Sequence, residues 1–254
     1  MILAIDIGNT TIGIGVFSDD TLILYEKISS GESCSTMDYI KKLNIIFENY
    51  GLSMEQLKGS ILSSVVPRIT NIFKSALEMW TCKKVLLLSH ETNLDFTLCV
   101  DAPEKVGCDR LADAAGAVHN YPVPLITIDM GTATTINVID EKLRFRGGVI
   151  MPGVGTAHQA LLGKAAQLFD SDTAKPSHLI GKNTAECISS GMVYGNACAI
   201  DGLIQRINQE LGQTCTMIAT GGNSERIIPY CQSDIIIDRY LLMKGLKHLF
   251  DTNK

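Results

Sequence analysis

Two short segments place an aspartate beside a glycine and small polar residues at the end of an apolar run. They are IDIGNTT, with Asp6 and Gly8, and IDMGTATT, with Asp129 and Gly131. Glycine permits a tight turn after a strand, and the backbone N–H groups of such a turn can bind an anion. The carboxylate can hold Mg²⁺, usually through water. One such segment is typical of an ordinary Asx turn, whereas two together indicate a site that binds a triphosphate from both sides.

A third segment, Gly107-Cys108-Asp109-Arg110, offers a base and a cation side by side. Phosphoryl transfer requires positioning, charge neutralisation and a base for the incoming hydroxyl. Asp109 could accept the proton of an acceptor hydroxyl, while Arg110 binds a carboxylate of the same acceptor in a bidentate contact. An aspartate in the first turn of a helix can equally cap that helix or complement its dipole. The bare motif leaves both interpretations open.

Two glycine-rich segments lie where predicted strands end. Gly147–Gly153 ends the strand predicted at about 144–150 and leads into a helix, and Gly221-Gly222 follows another strand. We expect them to form loops, which either make simple turns or allow the backbone to approach a nucleotide. The sequence contains no Walker A motif, no G-x-G-x-x-G and no H-R-D or D-F-G. The P-loop, Rossmann and protein-kinase classes are therefore not supported by motif.

The elements that position these residues form an internal repeat. Residues 1–17 and 124–140 both read as an apolar strand ending in Asp-x-Gly, followed by a second β-rich run. A gap-free alignment of the two segments pairs Asp6 with Asp129, Gly8 with Gly131, and Thr11 with Thr134. Such a repeat predicts two α/β domains facing a cleft, 1–121 and 122–254, with a boundary at the two prolines of the 121–124 segment.

Hydrophobic periodicity predicts the same order of elements in both halves, three strands followed by alternating helices and strands. Helices are expected at about 36–50, 67–80, 104–120, 156–168 and 184–211. A closing helix at about 240–250 falls in the second predicted domain.

Composition argues against several classes of protein. The 254 residues are 46% hydrophobic with a formal net charge of −5, and Lys and Arg are not clustered, so no nucleic-acid partner is expected. Asp6 interrupts the N-terminal apolar run, which argues against a signal peptide or membrane anchor. The eight cysteines show no C-x-x-C spacing. We expect reduced, mostly buried thiols, including Cys99, Cys187, Cys198 and Cys215, in a cytoplasmic protein.

In order and spacing, IDIGNTT, PEKVGCDRLADAA, IDMGTATT, GGVIMPG and IGKNTAECISSGMVYG closely resemble the type III pantothenate kinases. That family belongs to the actin, sugar-kinase and Hsp70 superfamily, and the resemblance runs from Met1 to at least Gly222. It implies an α/β fold of duplicated actin-like (ribonuclease H-like) domains with a nucleotide cleft between them. It also implies ATP-dependent phosphorylation of pantothenate to 4′-phosphopantothenate, the first committed step toward coenzyme A.

The resemblance further implies roles for individual residues. The ATP contacts would be Asp6, Ile7, Gly8, Asn9, Thr10, Thr11, Ile12, Gly13 and Thr132. The pantothenate contacts would be Val100, Gly107, Cys108, Asp109, Arg110 and Thr184. Asp109 would be the proton acceptor, ATP would bring Mg²⁺, and Asp129 would ligate a monovalent cation, K⁺ or NH₄⁺. Thr184 would act across the interface of a homodimer. Val100 departs from the family pattern, in which a tyrosine usually contacts the substrate at this position.

Three alternatives stay open at this point. The chain could phosphorylate another small hydroxyl compound or act on polyphosphate, as other enzymes of the superfamily do. It could be a catalytically idle accessory factor for transcription, although the intact Asp6, Asp109 and Asp129 argue against decay. It could also be an actin-type filament protein, for which the sequence offers no evident interaction surface.

Overall fold

The computed structural model describes residues 1–31, 33–164 and 176–253. The chain divides into two compact units. The first comprises Met1–His119 together with the C-terminal segment from Leu241, and the second is Asn120–Tyr240. The closing helix, which the sequence placed with the second half, therefore lies in the first unit.

Strands and helices are numbered along the chain. The strands are β1 (Ile2–Ile7), β2 (Thr11–Ser18), β3 (Thr21–Ser29), β4 (Gly59–Ser64), β5 (Val85–Leu87), β6 (Thr97–Leu98), β7 (Leu125–Met130), β8 (Ala133–Ile139), β9 (Arg144–Pro152), β10 (Thr216–Thr220) and β11 (Ile236–Ile237). The α-helices are α1 (Thr36–Asn49), α2 (Pro67–Thr81), α3 (Cys108–Asn120), α4 (Val154–Lys164), α5 (Thr184–Leu211), α6 (Ser224–Ile227) and α7 (Leu241–Thr252). Short 3₁₀ turns occupy Met54–Gln56, Pro103–Lys105 and Ile228–Tyr230.

Both units repeat one sheet topology. In the first unit the strand order is β3-β2-β1-β4-β5, and within the second it is β9-β8-β7-β10-β11. Each unit has an antiparallel meander of three strands, whose first strand also pairs in parallel with the fourth. The fifth strand continues the parallel part of the sheet. The repeated order and strand directions confirm the duplication that the two Asp-x-Gly segments predicted.

Strand β1 shows why its unit has two helical layers. Its side chains alternate across the sheet, as in any strand. Leu3 and Ile5 lie in a core built with α1 and α2, whereas Ala4 lies in a second core with residues of α3 and α7. Both faces are therefore covered, which explains why β1 reads as a nearly continuous apolar run.

Helix α7 belongs to the first unit because it packs closely on α3 through two glycines. A Cβ on Gly116 would lie 2.3 Å from the carbonyl oxygen of Leu241. A Cβ on Gly245 would lie 1.9 Å from the carbonyl oxygen of Ala112. Only glycine at both positions permits this backbone approach. The periodicity of α7 alone could not reveal which sheet it covers.

The strand expected at about 144–150 is confirmed and extends to Pro152, so Gly147 and Gly148 lie inside β9. A Cβ on Gly148 would meet the carbonyl oxygen of Ile136 on β8. All eight cysteines lie in described residues and none forms a disulfide, but most of the thiols expected to be buried are not. Cys99, Cys187 and Cys198 are exposed, and Cys215 is buried.

The helix expected at 156–168 begins two residues earlier, and its predicted end lies outside the described residues. Among the residues that the structure describes, no helix combines the length and the apolar character needed to cross a membrane.

Candidate active site

The first Asp-x-Gly turn joins β1 to β2. The Gly8 N–H donates to the carbonyl oxygen of Thr11 at 3.0 Å, which closes the turn. Asn9 and Thr10 are exposed at its tip. Ile7 and Ile12 point into the core on either side of the turn. Of these two residues, only the backbone is therefore available to a phosphate, while the core packing of their side chains fixes the turn.

Asp6 lies one residue before the end of β1 and is held from the neighbouring strand. The Ser63 hydroxyl donates to Asp6 Oδ1 at 2.8 Å. Ser63 is fully buried, and it pairs directly with Asp6 in the parallel register of β1 and β4. None of the sequence motifs singled out Ser63. Two serines at the end of a buried strand were the signal that could have identified it.

The segment that carries Asp109 packs on the same edge of the sheet. A Cβ on Gly107 would lie 3.7 Å from the Val65 side chain, directly after β4. The Cys108 thiol donates to the carbonyl oxygen of Leu88, directly after β5, at 3.1 Å. Helix α3 therefore begins at the carboxyl ends of the parallel strands, where ligands bind in open α/β sheets.

Gly107 makes room for the carboxylate two residues later. A Cβ at this position would lie 2.4 Å from Asp109 Oδ1, so any other residue would displace that oxygen. The same oxygen accepts a hydrogen bond from the Arg110 N–H at 2.8 Å. Position 107 of the G-x-D-R segment thus requires glycine for steric reasons. The Asp109 carboxylate is oriented by the backbone N–H of Arg110.

Charges at the start of α3 are partly desolvated. Burial raises the pKa of the Asp109 carboxyl, although the Arg110 N–H and guanidinium oppose this shift. Burial lowers the pKa of Arg110, against the effect of Asp109. The pKa of the Cys108 thiol is raised by burial and also by the charges of Asp109 and Asp6. Both carboxylates therefore lie within electrostatic reach of this one thiol.

The second Asp-x-Gly turn joins β7 to β8 and is shorter than the first. Met130 pairs with Thr134 in the register, whereas Ile7 pairs with Ile12 in the first turn. The Gly131 N–H donates to the carbonyl oxygen of Ala133, two residues further along the chain, at 3.0 Å. The structural counterpart of Thr11 is therefore Ala133, and the gap-free pairing of Thr11 with Thr134 is wrong by one residue.

Two glycines approach the second turn closely. A Cβ on Gly221 would lie 2.3 Å from Asp129 Oδ1 and 2.6 Å from the Met130 nitrogen, and its φ of +86° favours glycine. A Cβ on Gly153 would lie 2.3 Å from the Gly131 carbonyl oxygen. The Gly153 N–H also donates to the Thr132 carbonyl oxygen at 3.1 Å. The Gly221-Gly222 segment, a weak signal in the sequence, thus contacts Asp129 itself.

Three further residues, Thr132, Thr184 and Val100, were also predicted to belong to the site. Thr132 is exposed on the second turn, and its carbonyl accepts a hydrogen bond from the Thr156 hydroxyl at 2.7 Å. Thr184 is the exposed first residue of α5, and the Asn183 side chain caps that helix. Val100 is half-buried, just before the 3₁₀ turn at Pro103–Lys105.

Metal binding at these turns would depend on few protein ligands. Within residues 1–31, 33–164 and 176–253, no group of three or more His, Cys, Asp or Glu side chains could hold a metal ion. Mg²⁺ needs no such cage, because it keeps several waters and binds one or two carboxylates together with substrate phosphates. The Asp6 carboxylate, at a strand end beside a turn with exposed residues, fits that mode of binding.

The contact between Gly221 and Asp129 predicts different effects of alanine at two adjacent positions. Gly221→Ala should destabilise the protein by about 2 kcal/mol, because a positive φ and a backbone clash add. That loss corresponds to a fall of roughly 4–8 °C in the thermal unfolding midpoint. Gly222→Ala is the matched control, since a Cβ there meets no described atom within 4 Å. Equal unfolding midpoints for the two variants would contradict the contact.

Known proteins are similar to this chain in sequence and in fold. A sequence profile of the type III pantothenate kinase family matches residues 2–206. The type III pantothenate kinase of Exiguobacterium sibiricum is 36% identical over 254 residues, which is 100% of both chains.

Two solved structures resemble the fold. The activator of 2-hydroxyisocaproyl-CoA dehydratase from Clostridium difficile, with bound ADPNP, is 15% identical with a TM-score of 0.60, and the match covers 99% of this chain and 95% of that one. Glucokinase from an Antarctic psychrotroph is 11% identical with a TM-score of 0.54, over 99% and 98% of the two chains. The fold is thus the duplicated actin-like α/β fold. Because the family profile and a relative aligned over its whole length both match, this chain belongs to the type III pantothenate kinase family.

Proposed function

We propose that this protein transfers the γ-phosphate of ATP to the 4′-hydroxyl of pantothenate, giving 4′-phosphopantothenate in the first step of coenzyme A biosynthesis. The observation that carries the proposal is the placement of the Asp109-Arg110 segment at the edge of the first sheet where the Asp6 turn also lies. A base, a cation for an acid group and an anion-binding turn are the parts that this reaction requires. Membership of the type III pantothenate kinase family identifies pantothenate as the acceptor.

Asp109 is the proposed general base for the acceptor hydroxyl. A base works best when its pKa lies near the operating pH, and burial raises the pKa of Asp109 in that direction. Its oxygen is oriented by the Arg110 N–H and by the space above Gly107. The half-buried Arg110 guanidinium would bind the pantothenate carboxylate, which fixes the acceptor relative to the base.

The two turns are proposed to bind the phosphates and cations. Exposed backbone around Asn9 and Thr10 would contact phosphate oxygens, and Asp6 would hold Mg²⁺, which neutralises charge on the nucleotide. In the second unit, Thr132 would contact ATP, and Asp129, held between Gly131 and Gly221, would ligate K⁺ or NH₄⁺. Each turn uses backbone amides and one carboxylate, so neither depends on a preformed metal cage.

A coupled ADP-release assay with several acceptors tests the proposed function. Purified protein with ATP, Mg²⁺ and K⁺ would be given pantothenate, glucose, mannose, N-acetylglucosamine and glycerol in parallel. Turnover with pantothenate alone is the expected result. Turnover only with a sugar would transfer the assignment to another kinase class. Nucleotide binding without turnover on any acceptor would favour the accessory role.

Replacing the proposed base should separate chemistry from binding. Asp109→Asn is expected to lower kcat by about 10²–10⁴-fold, because general-base catalysis contributes that much. ATP affinity and thermal stability at pH 7 should not fall, since the variant removes a charge whose raised pKa shows that the fold disfavours it. Glu104→Gln, an exposed acid in the preceding turn, is the control. A kcat within twofold of wild type would remove Asp109 from the base role.

A monovalent cation at Asp129 predicts that the identity of the salt matters. At equal ionic strength, the rate with pantothenate should be higher in KCl or NH₄Cl than in NaCl, and Asp129→Asn should lose that difference. The assay keeps Mg²⁺ and ATP saturating, so that only the monovalent ion varies. Equal rates in all three salts for the wild-type protein would contradict a cation site at Asp129.

We infer a homodimer in which Thr184 reaches the partner's pantothenate. Support comes from the apolar side chains just before α5, where Leu179 is 62% and Ile180 81% exposed. Large apolar side chains exposed side by side are typical of interaction sites. Ile180→Asp should shift the sedimenting species from two chains to one and reduce turnover. Ile45→Asp, at an exposed isoleucine of α1, should do neither. A wild-type protein that is active as a monomer would refute the dimer.

A further inference from the structure

Ser63 differs from the other buried polar residue of its strand. Strand β4 is buried almost throughout, and both Ser60 and Ser63 have no exposed surface. The Ser60 hydroxyl has no hydrogen-bond partner among the described residues. The Ser63 hydroxyl donates to Asp6 Oδ1 at 2.8 Å. The hydrogen bond to Asp6, rather than burial of a serine as such, therefore sets Ser63 apart.

The geometry of this contact restricts the carboxylate. Asp6 and Ser63 are direct partners in a parallel register, so the positions of their Cα atoms are set by the ladder of β1 and β4. A donor on a buried strand residue has little freedom to move, and a hydrogen bond to a charged acceptor is among the stronger ones. The Asp6 carboxylate is consequently oriented by the sheet itself, before any ligand binds.

The second unit uses a different arrangement at the same place. Asp129 pairs with Thr220 in the parallel register of β7 and β10, as Asp6 pairs with Ser63. The Thr220 hydroxyl, however, donates to the Arg239 carbonyl oxygen at 3.4 Å. The backbone of Gly221 approaches Asp129 instead. The residue paired with the carboxylate thus donates to it in the first unit and to a backbone carbonyl in the second, so the serine is not a requirement of the fold.

We propose that Ser63 is a positioning residue for phosphoryl transfer, which holds the Asp6 carboxylate in the orientation that receives magnesium nucleotide. The proposal rests on the proposed function only in assigning Asp6 to the nucleotide. Ser63 itself is buried, so it would act on the nucleotide through Asp6 and not by direct contact. Its loss therefore affects the binding of magnesium nucleotide and leaves the binding of the acceptor at Arg110 intact.

The test compares three variants in two assays. Ser63→Ala removes the donor, Ser63→Thr retains a hydroxyl, and Ser60→Ala removes a buried hydroxyl that has no described partner. The first assay measures the rate with pantothenate as a function of Mg²⁺ and of ATP. The second is calorimetric binding of Mg²⁺·AMPPNP without acceptor, which tests Ser63 even if pantothenate proves to be the wrong substrate.

For Ser63→Ala we expect an approximately tenfold weaker affinity for Mg²⁺·AMPPNP and a similar rise in the Mg²⁺ concentration at half-maximal rate, because a hydrogen bond to a charged group is lost. The KM for pantothenate should stay within twofold of wild type. Ser63→Thr should recover most of the affinity, and Ser60→Ala should match wild type in both assays.

Either of two results would overturn the proposal. One is Mg²⁺·AMPPNP affinity for Ser63→Ala within twofold of wild type. The other is the same loss in Ser60→Ala, which would indicate a general effect of altering β4. A failure of the wild-type protein to phosphorylate pantothenate, with the binding difference retained, would reject the proposed function and keep the role of Ser63.

Discussion

A carboxylate at the end of a buried strand loses part of its hydration, so close contacts within the protein must replace the lost water. Both units place such contacts around the carboxylate. In the first, the carboxylate accepts a hydrogen bond from Ser63 on the adjacent strand. In the second, the backbone at Gly221 approaches Asp129 closely. In both, the turn that follows is closed by a glycine N–H, on Gly8 or Gly131. Strand order, register and the close glycines together determine where these two carboxylates lie.

The start of α3 depends on the same edge of the sheet. The Asp109 segment lies against the residues that follow β4 and β5, so the proposed base is fixed by the strands that also present Asp6. This arrangement places a desolvated carboxyl, with a raised pKa, beside a guanidinium. Ionisable groups with perturbed pKa values are typical of functional sites. The chemistry of the first unit therefore follows from where its parallel strands end.

The sequence predicted most of the elements, because their local signals were strong. The helix from Thr184 to Leu211 has the predicted limits, with Asn183 at its N-cap and Gly212 at its end. The duplication was also evident from the Asp-x-Gly segments. The equivalence of residues after the turns was wrong by one, because a tight turn can lose a residue without changing its sequence pattern.

What could not be predicted depends on contacts between distant parts of the chain. Helix α7 returns to the first unit through Gly116 and Gly245, which no local pattern of α7 reveals. The exposed Cys198 lies in an apolar stretch, yet on the outer side of a long helix. Ser63 gains its role only from the register of β1 with β4. Each case needs the pairing of elements far apart in sequence.

The most direct test of the account is ³¹P NMR of the wild-type protein with ATP, Mg²⁺, K⁺ and pantothenate. We expect each ADP formed to be matched by one phosphomonoester on pantothenate, without inorganic phosphate. ADP and inorganic phosphate in equal amounts, with no phosphomonoester, would show that the turns bind and hydrolyse ATP without transferring phosphate to this acceptor. That result would contradict the assignment of Asp109 and Arg110 to a pantothenate site.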